Sequence, residues 1–249
     1  MTDDVLVLWD IDGTLLNAGG VGRDLYDLVF LQLFGRSLTA CAPMAGRTDR
    51  SIILETLVLA GVAEPRRYVE EFIAGLGAHA PSARAEVAAR GHALPGAAAA
   101  VTALAATPMA AGVDGGAANG RGRRVLQSVL TGNVRSVAEL KLAALGLGDG
   151  LDLRIGAYGD DHEDRAELVQ VARRRAAAAN GSPPSAFAGP STVVVGDTPL
   201  DVSAALAASA RAVGVATGPY SAAGLAAAGA HAVLPDLTET RLVLQTLLG

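Results

Sequence analysis

The chain is poor in cysteine and in aromatic residues: 249 residues contain one cysteine and 4% Phe, Trp and Tyr. A lone Cys41 closes no internal disulfide, so a reducing, cytoplasmic setting is expected. It reads as a small, partly buried hydrophobe and not as a catalytic thiol. Long basic blocks are missing, and 20 Lys and Arg against 25 Asp and Glu leave a net charge of −5. That balance argues against nucleic acid as a partner and is ordinary for solubility. Strongly apolar runs of spanning length are missing as well. Hydrophobic residues reach 51%, but the excess is alanine. The longest uncharged stretches, 93–113 and 212–230, are interrupted by Pro and Gly, so no membrane span is expected. The opening "MTDD" is acidic where a secretory leader begins positive. No internal repeat is visible.

What is present is a set of short β-branched runs, each followed by a helical pattern. They are Val5–Trp9, Val125–Leu130, Leu151–Gly156, Ser191–Gly196, Ala210–Ala216 and His231–Leu234. Strands alternating with helices predict a parallel sheet covered on both faces, an α/β doubly wound, three-layer architecture. More than a hundred residues separate the first two runs, far beyond one crossover helix, so something is inserted there. From Asp24 to about Arg90 apolar residues recur at three- and four-residue spacing. A small all-helical domain over 18–92 is therefore expected, with a core made of 1–17 and 93–249. "LPG" and Ala97–Ala106 would form the turn and helix that return to that core. Two Gly-, Ala-, Pro- and Ser-rich stretches, 110–124 and 179–190, predict mobile surface loops away from the active edge.

In a parallel sheet, ligands bind beyond the carboxyl ends of the strands, where neighbouring crossovers diverge. The residues at three of those ends are distinctive: Asp10, Ile11, Asp12, Gly13 and Thr14; Thr131, Gly132 and Asn133; Asp197, Thr198, Pro199, Leu200 and Asp201. Four carboxylates brought together would repel unless a hard cation lies among them, and such a donor set suits magnesium. Asp10 and Asp12, two apart on an extended segment, can face one substrate. Each acid also has an ordinary reading: Asp-Gly closes many turns, and Asp197 and Asp201 sit where a helix start favours acids.

"DIDGTLL", "LTGN" and "VGDTPLD", in this order at successive strand ends, resemble motifs one, two and four of the haloacid dehalogenase-like hydrolase superfamily. The arrangement is most similar to its phosphoglycolate-phosphatase-like branch, whose helical cap follows the first strand. The resemblance covers essentially the whole chain. It implies a magnesium-dependent phosphatase acting on a small phosphorylated metabolite, as a monomer or homodimer. Asp10 would be the nucleophile that forms an aspartyl-phosphate, and Asp12 the general acid and base. Asp197 would bind Mg2+ together with the Asp10 carboxylate and the Asp12 carbonyl, and Asp201 would hold a metal-bound water or orient Asp197. Thr131, Gly132 and Asn133, with Gly13 and Thr14, would surround the phosphate. The third motif departs from the usual lysine with its proline context. Arg165, 34 positions after Thr131, is preferred for that role over Lys141, ten positions after it and expected at the surface. In "AGRTDRSI", Arg47 is the candidate cap contact to substrate, with helix capping near Thr48 as its plain alternative. A sugar-phosphate phosphomutase shares the same core residues, and a non-catalytic binding module is the competitor from another class. A dehalogenase is disfavoured, because that chemistry lacks the Asp12-type acid and needs no metal.

Overall fold

The computed structural model describes residues 4–107 and 124–249. Most of the 110–124 stretch, including Arg121 and Arg123, lies outside the described residues. Arg124 is within them and pairs with the buried Asp4 at 2.8 Å.

Strand β1 (Val5–Trp9) is buried along its whole length. Its alternating side chains explain why it is central. Val5, Val7 and Trp9 enter one apolar cluster, and Leu6 and Leu8 enter another on the opposite face. After β1 come β2 (Leu16–Asn17) and helices α1 (Val21–Phe34), α2 (Asp49–Leu59), α3 (Val69–His79) and α4 (Arg84–Arg90), then β3 (His92–Ala93) and α5 (Ala97–Ala105). The chain continues through β4 (Val125–Val129), α6 (Arg135–Ala144), α7 (Arg165–Asn180), β5 (Thr192–Gly196) and α8 (Pro199–Ala207). It ends with β6 (Arg211–Val215), α9 (Ala222–Ala227), β7 (Ala232–Leu234) and α10 (Thr240–Leu248).

The main sheet has the order β4-β1-β5-β6-β7, and every pair is parallel. Leu6, for example, stands beside Leu126 on one side and Thr192 on the other. Helices α5, α6 and α10 supply the apolar residues of one face, α7, α8 and α9 those of the other. The sheet is thus the middle of three layers. The chain passes from β1 to β4 on one side and returns to β5 on the other, so crossovers diverge around β1. This creates the crevice beyond its carboxyl end.

Strands β2 and β3 pair antiparallel, Leu16 with Ala93 and Asn17 with His92, forming a stem between which α1 to α4 are strung. Those helices gather around their own apolar cluster, including Val21, Phe30, Ile53, Phe72 and Val87. Val134 and Val137, from the start of the α6 region, belong to it too.

Two expectations need correction. The run Leu151–Gly156 forms no strand. It does lie along β4, with the Asp152 N–H donating to the Gln127 carbonyl and a single bridge between Leu130 and Ala157. The Asp152 carboxylate, however, accepts the Arg154 N–H at 3.1 Å, closing a local turn that competes with ladder pairing. The stretch 179–190 is not simply a surface loop either. Ala179 and Asn180 end α7, and Phe187 is fully buried against α7 and β5 residues.

Candidate active site

Of the strand-end residues named above, Asp10, Asp12, Gly13, Thr131, Gly132, Asn133 and Asp197 line one cavity. Asp10 follows β1 and keeps its backbone in the sheet by donating its N–H to the Val195 carbonyl at 2.8 Å. Gly13 makes the turn possible: its φ is 89°, and a side chain there would collide with the Asp197 carboxylate. Thr14 donates its hydroxyl to Asp197 Oδ1 at 3.2 Å, tying the loops after β1 and β5 together. Thr217, after β6, donates to the Gly13 carbonyl at 2.6 Å.

Three carboxylates, Asp10, Asp197 and Asp201, are buried with oxygens within 4.8 Å of one another. Arg165, at the start of α7 and itself buried, reaches among them. Its Nη2 donates to Asp10 Oδ1 at 2.5 Å and to the Leu130 carbonyl at 3.2 Å. The same nitrogen forms an ion pair with Asp201 Oδ1 at 2.5 Å. The other Asp201 oxygen closes a capping box at α8, accepting from the Thr198 N–H and hydroxyl. Thr198, not Asp197, is therefore the cap residue of that helix.

The electrostatics follow from burial. Desolvation above all, then the Asp201 charge, push the Asp10 carboxyl well above the carboxylate range, while Arg165 pulls it down. Desolvation and Asp201 likewise raise Asp197 to about 7. One guanidinium cannot balance three buried carboxylates, and an ionised Asp10 needs further positive charge beside it. The donors are hard carboxylate oxygens gathered within 4.8 Å, so the cluster fits a divalent cation such as magnesium.

Asp12 stands apart from this cluster. Both its oxygens accept from Lys141 Nζ, at 2.8 and 2.7 Å, and Oδ2 also accepts from Asn133 Nδ2 at 2.6 Å. Lys141 is the chain's only lysine. It is buried, and this corrects the expectation of a surface residue. The signal was in the spacing: Val134, Val137, Ala138 and Lys141 share one helix face, and the other three are buried. The two cations thus divide the two acids, Arg165 holding Asp10 and Lys141 holding Asp12. Thr131 is buried beside them, its hydroxyl accepting from the Asn133 N–H and side-chain amide.

The helical insertion closes over this edge through hydrogen bonds to main-chain carbonyls. Asp49 donates its N–H to the Gly132 carbonyl at 2.7 Å, and Thr48 donates its hydroxyl to the Glu163 carbonyl at 2.7 Å. Gly132 is required there, because a Cβ would strike the Arg47 carbonyl. The buried Asp49 carboxylate accepts from the Tyr26 hydroxyl at 2.6 Å and from the Val134 N–H at 2.7 Å. It so caps α6, which has no side-chain cap of its own. Desolvation raises Asp49 to about 6 despite those two hydrogen bonds. The Arg47 guanidinium is held by the Pro43 and Ser51 carbonyls and by Glu55, so its contacts are within the insertion, where Thr48 caps α2. Asp160 and Asp161, near the same edge, bond the Arg135 N–H and Arg175 and do not line the cavity.

A sequence profile of haloacid dehalogenase-like hydrolases matches residues 7–206, from β1 through α8. The chain belongs to the haloacid dehalogenase-like hydrolases. No curated protein matches it in sequence. Among solved structures it is similar to a predicted phosphatase from Clostridium acetobutylicum, with TM-score 0.62 and 16% identity over 97% of this chain and 99% of that one. A hydrolase of the same family from Streptococcus pneumoniae superposes with TM-score 0.60 and 15% identity, over 98% and 100% of the two chains. A candidate β-phosphoglucomutase from Thermotoga maritima gives TM-score 0.56 and 18% identity over 97% and 99%. At such identities the likeness is one of fold. In this family member the divergence point of the sheet carries the acids and both cations.

Proposed function

We propose that this hydrolase is a magnesium-dependent phosphatase that cleaves small phosphomonoesters through an aspartyl-phosphate at Asp10, with residues 18–92 as its cap. The observation that carries the reading is the convergence of Asp10, Asp12, Thr131, Arg165 and Asp197 on one cavity. In the first step an Asp10 oxygen attacks phosphorus, the bond to the leaving oxygen breaks, and Asp12 gives that oxygen a proton. In the second, Asp12 takes a proton from water, the new oxygen–phosphorus bond forms, and the Asp10–phosphorus bond breaks. Lys141 donates to both Asp12 oxygens and Asn133 to one of them, so both are engaged before substrate arrives. For the first step it must carry a proton, so Lys141 must release one of its oxygens. Arg165 keeps Asp10 aimed and offsets its charge, while the Thr131 hydroxyl and the Gly132 N–H would donate to the phosphoryl oxygens. Asp10, Asp197 and the Asp12 carbonyl would hold magnesium, with Asp201 behind them. Its charge would favour ionised Asp10 and neutralise phosphoryl oxygens.

The test is phosphate release from a panel of phosphomonoesters with magnesium, after chelation, and by Asp10→Asn. Turnover that stops with either change supports the reading. Full activity in Asp10→Asn refutes the nucleophile, and no turnover across the panel favours the binding module. Dependence on a bisphosphate activator would instead favour the phosphomutase.

A further inference from the structure

The cavity above the carboxylates measures about 460 Å3 and continues from the strand ends into the helical insertion. Its floor is polar, and the side toward the insertion is lined largely by apolar side chains. Leu25, Tyr26, Met44, Ile52, Leu76 and Val137 form that wall. All but Met44 are buried members of the insertion's own apolar cluster. Most polar groups on this side already have partners, and Asn17 accepts the Gly19 N–H through its side-chain oxygen. Tyr26 gives its hydroxyl to Asp49, whose second oxygen is taken by the Val134 N–H. Arg47 is held by Pro43, Ser51 and Glu55, and Arg23 gives its Nε–H to Asp27. Lys141 spends its hydrogens on Asp12 and Asn133.

A leaving group carrying several hydroxyls would therefore bury them against hydrocarbon, and each hydroxyl left unpaired costs roughly tenfold or more in affinity. An alkyl or aryl group meets no such penalty and gains up to about fourfold per buried methylene. Resting on the phosphatase reading, we infer that the substrate is a phosphomonoester whose leaving group is predominantly apolar, not a sugar or other polyol phosphate. The insertion selects this class through its hydrophobic wall, and the strand ends handle only the phosphoryl group.

Binding of non-hydrolysable phosphonates separates this inference from the catalytic reading. The probes are methylphosphonate, butylphosphonate and the dihydroxylated counterpart of butylphosphonate, titrated calorimetrically into the full chain with magnesium. Butylphosphonate is expected to bind at least about tenfold more tightly than methylphosphonate, and the diol to lose most of that gain. Met44→Gln, which adds a polar group to the wall, should narrow the gap between butylphosphonate and the diol by about threefold or more. Equal affinities for methylphosphonate and butylphosphonate, or a diol as tight as the alkyl compound, would overturn the apolar leaving group and leave the phosphatase reading standing. If none of the three binds, the phosphate site itself is contradicted and the inference falls with it.

Discussion

Asp49 allows a stability prediction whose sign and size follow from its surroundings. Its carboxyl is raised from an ordinary 3.8 to about 6, and desolvation is the main cause. The charged groups facing it are Lys141, which lowers it, and Asp12, which raises it; Tyr26 from α1 donates a hydrogen bond. An acid held higher in the folded than in the unfolded chain binds its proton more tightly when folded. Its stabilising contribution is complete below pH 3.8 and is lost as pH rises through about 6. The interval corresponds to about 3 kcal/mol. Asn at this position has no such titration, and it can accept from the Val134 N–H while donating to the Tyr26 oxygen. Urea unfolding of the parent chain and of Asp49→Asn at several values between pH 4 and 7.5 measures the difference directly. Asp10 and Asp197 titrate in both proteins and cancel in the subtraction. The variant should gain on the parent by about 2.5 kcal/mol between pH 4 and 7.5, most of it below pH 6. Parallel pH profiles, or a parent that gains on the variant as pH rises, would refute this account of the buried carboxyl.

Three further outcomes follow from the same geometry. Lys141→Met removes the ion pair to Asp12 but leaves that acid facing the cavity and bonded to Asn133, so unfolding free energy should fall by less than about 2 kcal/mol. Steady-state kinetics should show kcat down about 10- to 100-fold, with Lys141→Arg recovering part of it. Arg165→Met leaves three buried carboxylates without their cation and should cost about 3–5 kcal/mol, part of it regained on adding magnesium, in denaturant titrations with and without the ion. Gly132→Ala forces a methyl into the Arg47 carbonyl and should cost about 1–3 kcal/mol in the same assay, with faster amide exchange at Asp49 as the insertion loosens.

The sheet was readable because its strands are buried on both faces and so appear as unbroken β-branched runs ending in Asp, Thr or Gly. Val5–Trp9 and Ser191–Gly196 are the clearest. The run at 151–156 has similar composition but fails, since Asp152 turns its carboxylate back onto the Arg154 N–H. That choice is made by local hydrogen-bond geometry and leaves no mark on hydropathy. Phe187 shows the opposite case: a Gly- and Pro-rich stretch anchored by one fully buried ring. At the site, acids lying next to a strand were easy to see. Lys141 was not, because its distance along the chain from Thr131 suggests a surface position while the inward face of α6 carries it to the site. Asp49 carries no local signal of its role, because its partners, the Val134 N–H and Tyr26 hydroxyl, are more than twenty residues away. Backbone contacts such as Asp49 to Gly132 carry no side-chain signature at all.

The most direct test of the central claim is to mix the full chain with magnesium and a phosphomonoester, quench in acid within a turnover, and locate any phosphoryl group by peptide mass spectrometry. The account predicts one phosphoryl group, on Asp10, and none on the Asp10→Asn chain. Phosphate released at an unchanged rate with the label on another residue, or with Asp10 never modified, would contradict it.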